Sequence, residues 1–318
     1  MSALPPEFSL IARHFRPLAG PGALDLQDDA AVFMPPAGRA LVIAADAMVA
    51  GVHFLPDDPA DLVGRKLLRT NLSDMAAMGA VPFGYLMTVS APKATDDGWF
   101  AAFARGLAAD QTEFDVSLLG GDTTSTPGPI SLSLTILGSV LPGKAIHRVG
   151  ARPGYGVWVS GTIGDGALGL LAATRRLEDA TGFLADRYRV PQPRLGLAIY
   201  GIVAACIDVS DGLIQDLGHL CRAGGLAAEI EAEKVPTSEA AYRAGPGHLE
   251  RRLTGGDDYE LLMAVAPEHE VDLVRHAASV GMKVTRIGAF HEGAPHVDVR
   301  DTSGVILPFA TEGWSHFP

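Results

Sequence analysis

Acidic side chains recur at one kind of place in this 318-residue chain: at the end of an apolar run or just after a glycine turn. Asp28 and Asp29 stand in "LQDDAAVF", Asp46 ends "LVIAAD", and Asp122 follows Gly120 and Gly121 in "LLGGDTT". Asp208 and Asp211 stand in "IDVSDGL", and Asp257 and Asp258 follow Gly255 and Gly256 in "TGGDDYEL". Taken singly, most of these have a plain explanation, since Asp caps helices and forms turns. The pair Asp208 and Asp211 suits a helix N-terminus as well as a ligand. Asp74, in "NLSDMAAMGA", is different. The spacing predicts a helix from about Asp61, with Val63, Leu67, Met75 and Met78 on one side and Arg65, Lys66 and Arg69 on the other. Asn71 and Asp74 fall within the apolar stripe, where an unpartnered carboxylate costs desolvation. As a set, carboxylates gathered in one cleft repel one another, and hard divalent cations relieve that. Oxygen-only donors point to Mg²⁺ rather than zinc. Magnesium usually shares phosphate oxygens, so the chemistry implied is that of a polyphosphate substrate.

Other side chains add to this. "GKAIHRVGAR" carries Lys144, His147, Arg148 and Arg152, which suit either phosphate contacts or a solvated loop. His53, in "VAGVHF", reads first as a core histidine. Trp314, in "EGWSHFP", either fastens the tail or stacks on a flat ring. There is no G-x-x-x-x-G-K-[ST], because Gly143-Lys144 is followed by Ala145. "GTIGDGALGL" contains a formal G-x-G-x-x-G at Gly164, Gly166 and Gly169, with Glu178 and Asp186 downstream. That is a dinucleotide pattern, but a tight glycine turn explains it without a ligand.

The elements that must position these residues interleave along the chain, which argues α/β or α+β layering. Strands are predicted over 40–46, 83–90, 115–121, 130–140, 156–161, 206–210, 226–231 and 261–266. Helices are predicted over 7–15, 60–79, 97–110, 165–178, 195–205, 212–223 and 267–280. In "ISLSLTILG" Ser and Thr alternate with Ile and Leu, so one strand face is less apolar than the other. "VGARPGYG" (149–156) is the best boundary, dividing the chain into 1–148 and 149–318.

Bulk properties fit. Hydrophobic residues make up 47%, enough for a sizeable core, and 37 Gly and 22 Pro supply many turns. The net charge of −12 repels nucleic acid and anionic membrane. Cys206 and Cys221 lack zinc-site spacing and read as buried thiols. No apolar run is long enough to span a membrane. "MSALPPEFSLIARHF" lacks the basic and apolar regions of a signal peptide, so the expected location is the cytoplasm.

The motifs "DDAAV", "LVIAADAMVAGVHF", "NLSDMAAMGA", "LLGGDTT", "IDVSDGLIQDLGHL", "TGGDDYEL" and "GWSHF", in that order, resemble the thiamine-monophosphate kinases of the aminoimidazole ribonucleotide synthetase-like superfamily. The likeness covers nearly the whole chain. It implies two α/β domains, the N-terminal one pairing its strands across a homodimer, with the active site in a cleft between the halves. It also implies transfer of the γ-phosphate of ATP to thiamine monophosphate, with several Mg²⁺ ions. Carried over residue by residue, Asp29, Asp46, Asp74, Asp122, Asp208 and Asp211 correspond to metal ligands. Gly121, Asp122, Arg148 and Ser210 correspond to ATP contacts. His53, Asp257 and Trp314 correspond to substrate contacts, and Asp122, Asp211 and Arg148 to the catalytic group. The three glycines correspond to a family turn.

The chain departs from the family pattern at Gln27, where Gly is usual, and at Ala44 and Ala45, where Ser and Thr are common. Asp257 replaces a Glu, keeping the charge with a shorter reach. A phosphate acceptor needs no strong general base, and none is readable. Two rivals stand beside this expectation: another ATP-using superfamily member with a different acceptor, and a Mg²⁺–nucleotide binding protein without transferase activity.

Overall fold

The structure is a computed structural model that describes residues 6–197 and 199–316. The first residues of the quoted N-terminal stretch, Ala198 within the expected helix 195–205, and Phe317 of "GWSHF" lie outside the described residues. The chain divides into two compact units, Met1–Met75 with Ala80–Gly143, and Ala76–Gly79 with Lys144–Pro318.

The first unit is built on a four-stranded sheet. Its strands are β1 (Ala40–Val49), β2 (Val81–Ala91), β3 (Ser117–Ser125) and β4 (Ser131–Val140), in the order β1-β4-β2-β3. β4 pairs antiparallel with β1 and β2, and β2 pairs parallel with β3. The alternation of "SLSLTI" works as expected. Leu132, Leu134 and Ile136 are buried, while Ser131, Ser133 and Thr135 are half-buried. On the rows of that second face lie Leu41, Ile43 and Leu86, at 47%, 61% and 41% exposure. This face is therefore partly apolar and exposed.

Before the sheet, α1 (Pro6–Leu10) runs into a π-helical turn over Ile11–Phe15, where one helix was expected. Two long helices follow β1 and β2: α2 (Ala60–Ala77) and α3 (Asp97–Phe114). They approach closely where side chains are absent. A Cβ on Gly106 would sit 1.9 Å from the Asp61 carbonyl oxygen, and one on Gly64 would sit 2.5 Å from that of Phe103. α2 is buried on more than its apolar stripe. Lys66 and Arg69, on the side away from the apolar stripe, are buried as well. Arg69 grips Asp110 of α3 through two bonds (2.7 and 2.9 Å), and Arg65 reaches the same carboxylate (2.9 Å). A bidentate pair is what lets a guanidinium lie in the interior.

The second unit carries a six-stranded sheet, ordered β10-β7-β9-β5-β8-β6. Its strands are β5 (Gly156–Ser160), β6 (Val203–Asp208), β7 (Leu226–Glu231), β8 (Leu261–Val265), β9 (Val284–Glu292) and β10 (His296–Arg300). Both faces are covered, so all five residues of β8 are buried. Leu262 and Ala264 join one core cluster, while Leu261, Met263 and Val265 join another. The helices are α4 (Asp165–Ala173), α5 (Phe183–Arg189), α6 (Leu213–Gly224), α7 (Glu239–Arg243), α8 (Leu249–Thr254) and α9 (Glu270–Ser279). The expected helix over 195–205 is absent among its described residues. That stretch is turn and coil followed by β6, because Pro191 and Pro193 precede it and Gly196 and Gly201 take positive φ. α5, α7, α8, β9 and β10 had no sequence-based expectation. Cys206 and Cys221 are free and buried.

Candidate functional site

In the first unit, the turn Gln27–Phe33 is held by Val32 N–H donating to the Gly22 carbonyl (2.8 Å) and by Phe33 stacking on Phe83 (centroids 4.5 Å apart). This places Asp28 and Asp29 on one wall of a cavity of about 510 Å³. Gly121 and Asp122, on edge strand β3, also line it. The rest of the lining is largely apolar, with Phe15, Leu26, Phe33 and Leu118. The cavity therefore combines carboxylates for cations and backbone for phosphate with apolar side chains that suit a flat ring. Gly121 is required here, because a Cβ would lie 1.8 Å from the Met87 carbonyl oxygen.

Asp46 and Asp74 lie at a second locus. Asn71 joins their elements: its Oδ1 accepts the Asp46 N–H (3.2 Å), and its Nδ2 donates to the Leu67 carbonyl (2.9 Å). Asn71, 0% exposed, thus locks α2 to β1, with Asp74 one turn further along. The sheet register runs Asp46–Leu134–Met87–Gly121. Asp46 and the Gly121–Asp122 pair are therefore at opposite edges, three strand spacings or roughly 14 Å apart. His53 is set differently. Val49 N–H donates to its Nδ1 (3.0 Å), so the ring proton lies on Nε2 when the ring is neutral. Buried Lys66 donates to the His53 carbonyl (2.9 Å), fixing the turn beneath it.

In the second unit, the remaining residues meet around the loop between β6 and α6. Asp208 ends β6 and is buried. The next turn is shaped by a residue that the sequence reading missed. One oxygen of Asp216 accepts the backbone N–H groups of Ser210, Asp211 and Gly212, each at 3.1 Å. Burial, then the Asp208 and Asp211 carboxylates, push the Asp216 carboxyl up to about 8. The available signal was an acid in the first turn of a helix that follows Ser-Asp-Gly. Asp211, Asp216 and His219 offer ligand atoms within 4.8 Å of one another. Asp216 already spends one oxygen on three amides, so it serves to shape the loop. The crowding of Asp208, Asp211 and Asp216 suits a divalent cation on the outward carboxylates.

Asp257 lies beside this loop. Its N–H donates to the Ser210 carbonyl (2.9 Å), and Tyr259 N–H donates to that of Val209 (2.8 Å). The approach is close enough that a Cβ on Gly256 would sit 2.0 Å from the Ser210 carbonyl oxygen. Trp314 docks from the C-terminal segment, its N–H donating to the Asp211 carbonyl (3.0 Å) while the residue stays 53% exposed. Arg148 is exposed, on a segment joined to β6 by Cys206 N–H donating to the His147 carbonyl (3.0 Å). His219 feels it: burial, Arg222 and then Arg148 hold that imidazole below its ordinary range. The structure thus gathers Asp208, Ser210, Asp211, Asp257 and Trp314 around one turn.

The glycine turn before α4 excludes the dinucleotide reading. Gly164 and Gly166 donate their N–H groups to Asp258 (2.6 and 2.9 Å), which fills the place an anionic ligand would take. A Cβ on Gly166 would lie 2.2 Å from the Asp257 carbonyl oxygen. Burial, then neighbouring Asp165, push the Asp258 carboxyl up to about 8. Nearby, buried Glu260 is held by Arg187 (3.0 Å), Arg194 (2.5 Å) and Ser160 (2.6 Å).

Two family models match this chain: the N-terminal domain of AIR synthase related proteins over residues 27–140, and the C-terminal domain over 152–299. The fold is that of this class. The chain is 48% identical to the thiamine-monophosphate kinase of Caulobacter vibrioides, over 99% of this chain and 92% of that protein. A crystal structure of the Stenotrophomonas maltophilia thiamine-monophosphate kinase superposes with a TM-score of 0.82 at 39% identity, covering 92% of this chain and 96% of that one. AaThiL, solved in complex with AMPPCP and TMP, superposes with a TM-score of 0.77 at 29% identity, covering 91% of each chain. The chain belongs to the thiamine-monophosphate kinase family.

Proposed function

We propose that this chain transfers the γ-phosphate of ATP to thiamine monophosphate, giving thiamine diphosphate and ADP, with Mg²⁺ and as a cytoplasmic homodimer. The observation that carries this reading is the contact between Asp211 and Trp314 (3.0 Å). It ties the backbone of the tail residue that carries an exposed indole to the backbone of an acid we assign to Mg²⁺. Thiamine monophosphate has the matching pair, a phosphate and a cationic aromatic ring. An indole face attracts such a ring, and the Asp257 carboxylate complements its charge. His53 presents Nε2–H as a donor.

The cavity of the first unit supports the ATP role, with Gly121 and Asp122 for phosphate and Phe15 and Leu118 for the base. Asp29, Asp46, Asp74, Asp122, Asp208 and Asp211 are all-oxygen donors that would hold Mg²⁺, which neutralises phosphate charge when bound. The acceptor phosphate has a second pKa near 6, so its oxygen arrives deprotonated and needs no base. The protein's task is alignment and charge compensation. Arg148 is the residue for a bidentate grip on phosphate. The new P–O bond forms as the bond to the ADP oxygen breaks.

The homodimer is supported by Leu41, Ile43 and Leu86, exposed on one sheet face. The opposite-edge placement of Asp46 and Asp122 also favours several metal ions, or a second copy, around one polyphosphate. An acceptor comparison tests the reading. ADP release should require thiamine monophosphate, with thiamine and other monophosphates inactive. Equal release with a different acceptor would move the chain to another superfamily activity.

A further inference from the structure

We infer that Gln215 is a positioning residue that couples the metal-binding loop to the substrate-binding tail, so that Trp314 is presented only when Asp211 is in place. This rests on the function proposed above. The side chain of Gln215 projects from the first turn of α6. Its Nε2 donates in two directions, to the Asp211 carboxylate (3.2 Å) and to the Trp314 carbonyl (2.6 Å). The tail answers with its own bond, Trp314 N–H to the Asp211 carbonyl (3.0 Å). Three residues therefore close one ring of hydrogen bonds. Gly313 lets the tail lie against Gln215, since a Cβ there would sit 2.5 Å from the Gln215 Cβ. The tail holds the loop through one side chain and one amide. Asp211 keeps its place through the separate bond from its N–H to Asp216.

This division makes the consequence specific. Loss of Gln215 should free the tail and leave the loop formed. A single hydrogen bond of this kind is worth about one decade in binding. Gln215→Ala should therefore raise the KM for thiamine monophosphate about ten-fold while kcat and the KM for ATP stay within about two-fold. Gln215→Glu should do more, because it sets an acceptor against two acceptors. Gly313→Val attacks the same contact from the tail and should give the same signature, and the Gln215→Ala/Gly313→Val double variant should be less than additive. Hydrogen exchange of the peptide holding the Trp314 amide supplies a readout independent of turnover, and it should speed in each variant. Unchanged exchange, or a kcat loss equal to the KM change, would overturn the coupling. Wild-type protein that makes no thiamine diphosphate would sink the proposed function instead, and faster exchange in the variants would then leave Gln215 as a tail anchor with no substrate role.

Discussion

Asp216 accepts the backbone N–H of Asp211 at 3.1 Å, from a position five residues further along the chain. The same oxygen also takes the N–H groups of Ser210 and Gly212. A loop with three amides pointed at one internal carboxylate turns its side chains outward, so Asp211 is shaped by a residue that needs no contact with substrate. Asp216→Ala leaves three amides without this partner, and each such loss costs about 1 kcal/mol or more. The expected outcome is a fall in kcat/KM of at least about 100-fold with retained far-UV circular dichroism. Near-normal turnover would show that the loop forms without it.

Asp122 is exposed and Asp211 half-buried, so neither supports the core. Asp122→Asn and Asp211→Asn should each lose activity by orders of magnitude while stability changes by only about 0.5 kcal/mol. Steady-state kinetics and thermal melts check both halves of this statement. Unchanged turnover in both would make the acids structural.

The buried Asp258 carboxyl, pushed up to about 8, sets a pH dependence of stability. Between about pH 4 and pH 8 the unfolded chain has released this proton while the folded chain keeps it. Its contribution is therefore full below pH 4 and is lost as pH rises through 8. Asp216 acts in the same direction. Melting temperature should fall across that window, and Asp258→Asn should flatten the slope. An identical slope in the variant would count against the assignment.

Arg69 and Asp110 test the packing of α2 on α3. Asp110→Ala leaves a guanidinium buried with its main partner gone, a loss of about 3–5 kcal/mol. Denaturant melts of this variant, and of a Arg69→Met/Asp110→Leu pair that should recover much of the loss, measure it. A loss under 1 kcal/mol in the single variant would mean that Glu113, 2.5 Å from Arg69, carries the charge instead.

Much of this was legible in the residues. The alternation in "ISLSLTILGSV" located β4 and its two unlike faces, and the motifs named Asp28, Asp29 and Asp122, which line the first-unit cavity, and Asp208, Asp211 and Asp257, which flank the turn after β6. What escaped depended on distant partners. A helix wheel sets Arg69 against the apolar side, but Asp110 on another helix makes burial tolerable. Asp258 and Asp216 looked like ordinary turn and helix acids, because their roles lie in amides they accept rather than in the motif itself. β9 and β10 carry too many polar side chains to read as strands: β10 is the sheet edge, and β9, though paired on both sides, is partly exposed. The register that parts Asp46 from Asp122 exists only once the strand order is known.

The central claim is phosphoryl transfer between two bound phosphates. Its most direct test is purified protein with ATP labelled at the γ-phosphate, thiamine monophosphate and Mg²⁺, with products separated and counted. The label should appear in thiamine diphosphate in step with ADP, and a chelator should abolish it. Label found only in inorganic phosphate, or no ADP at all, would contradict the account.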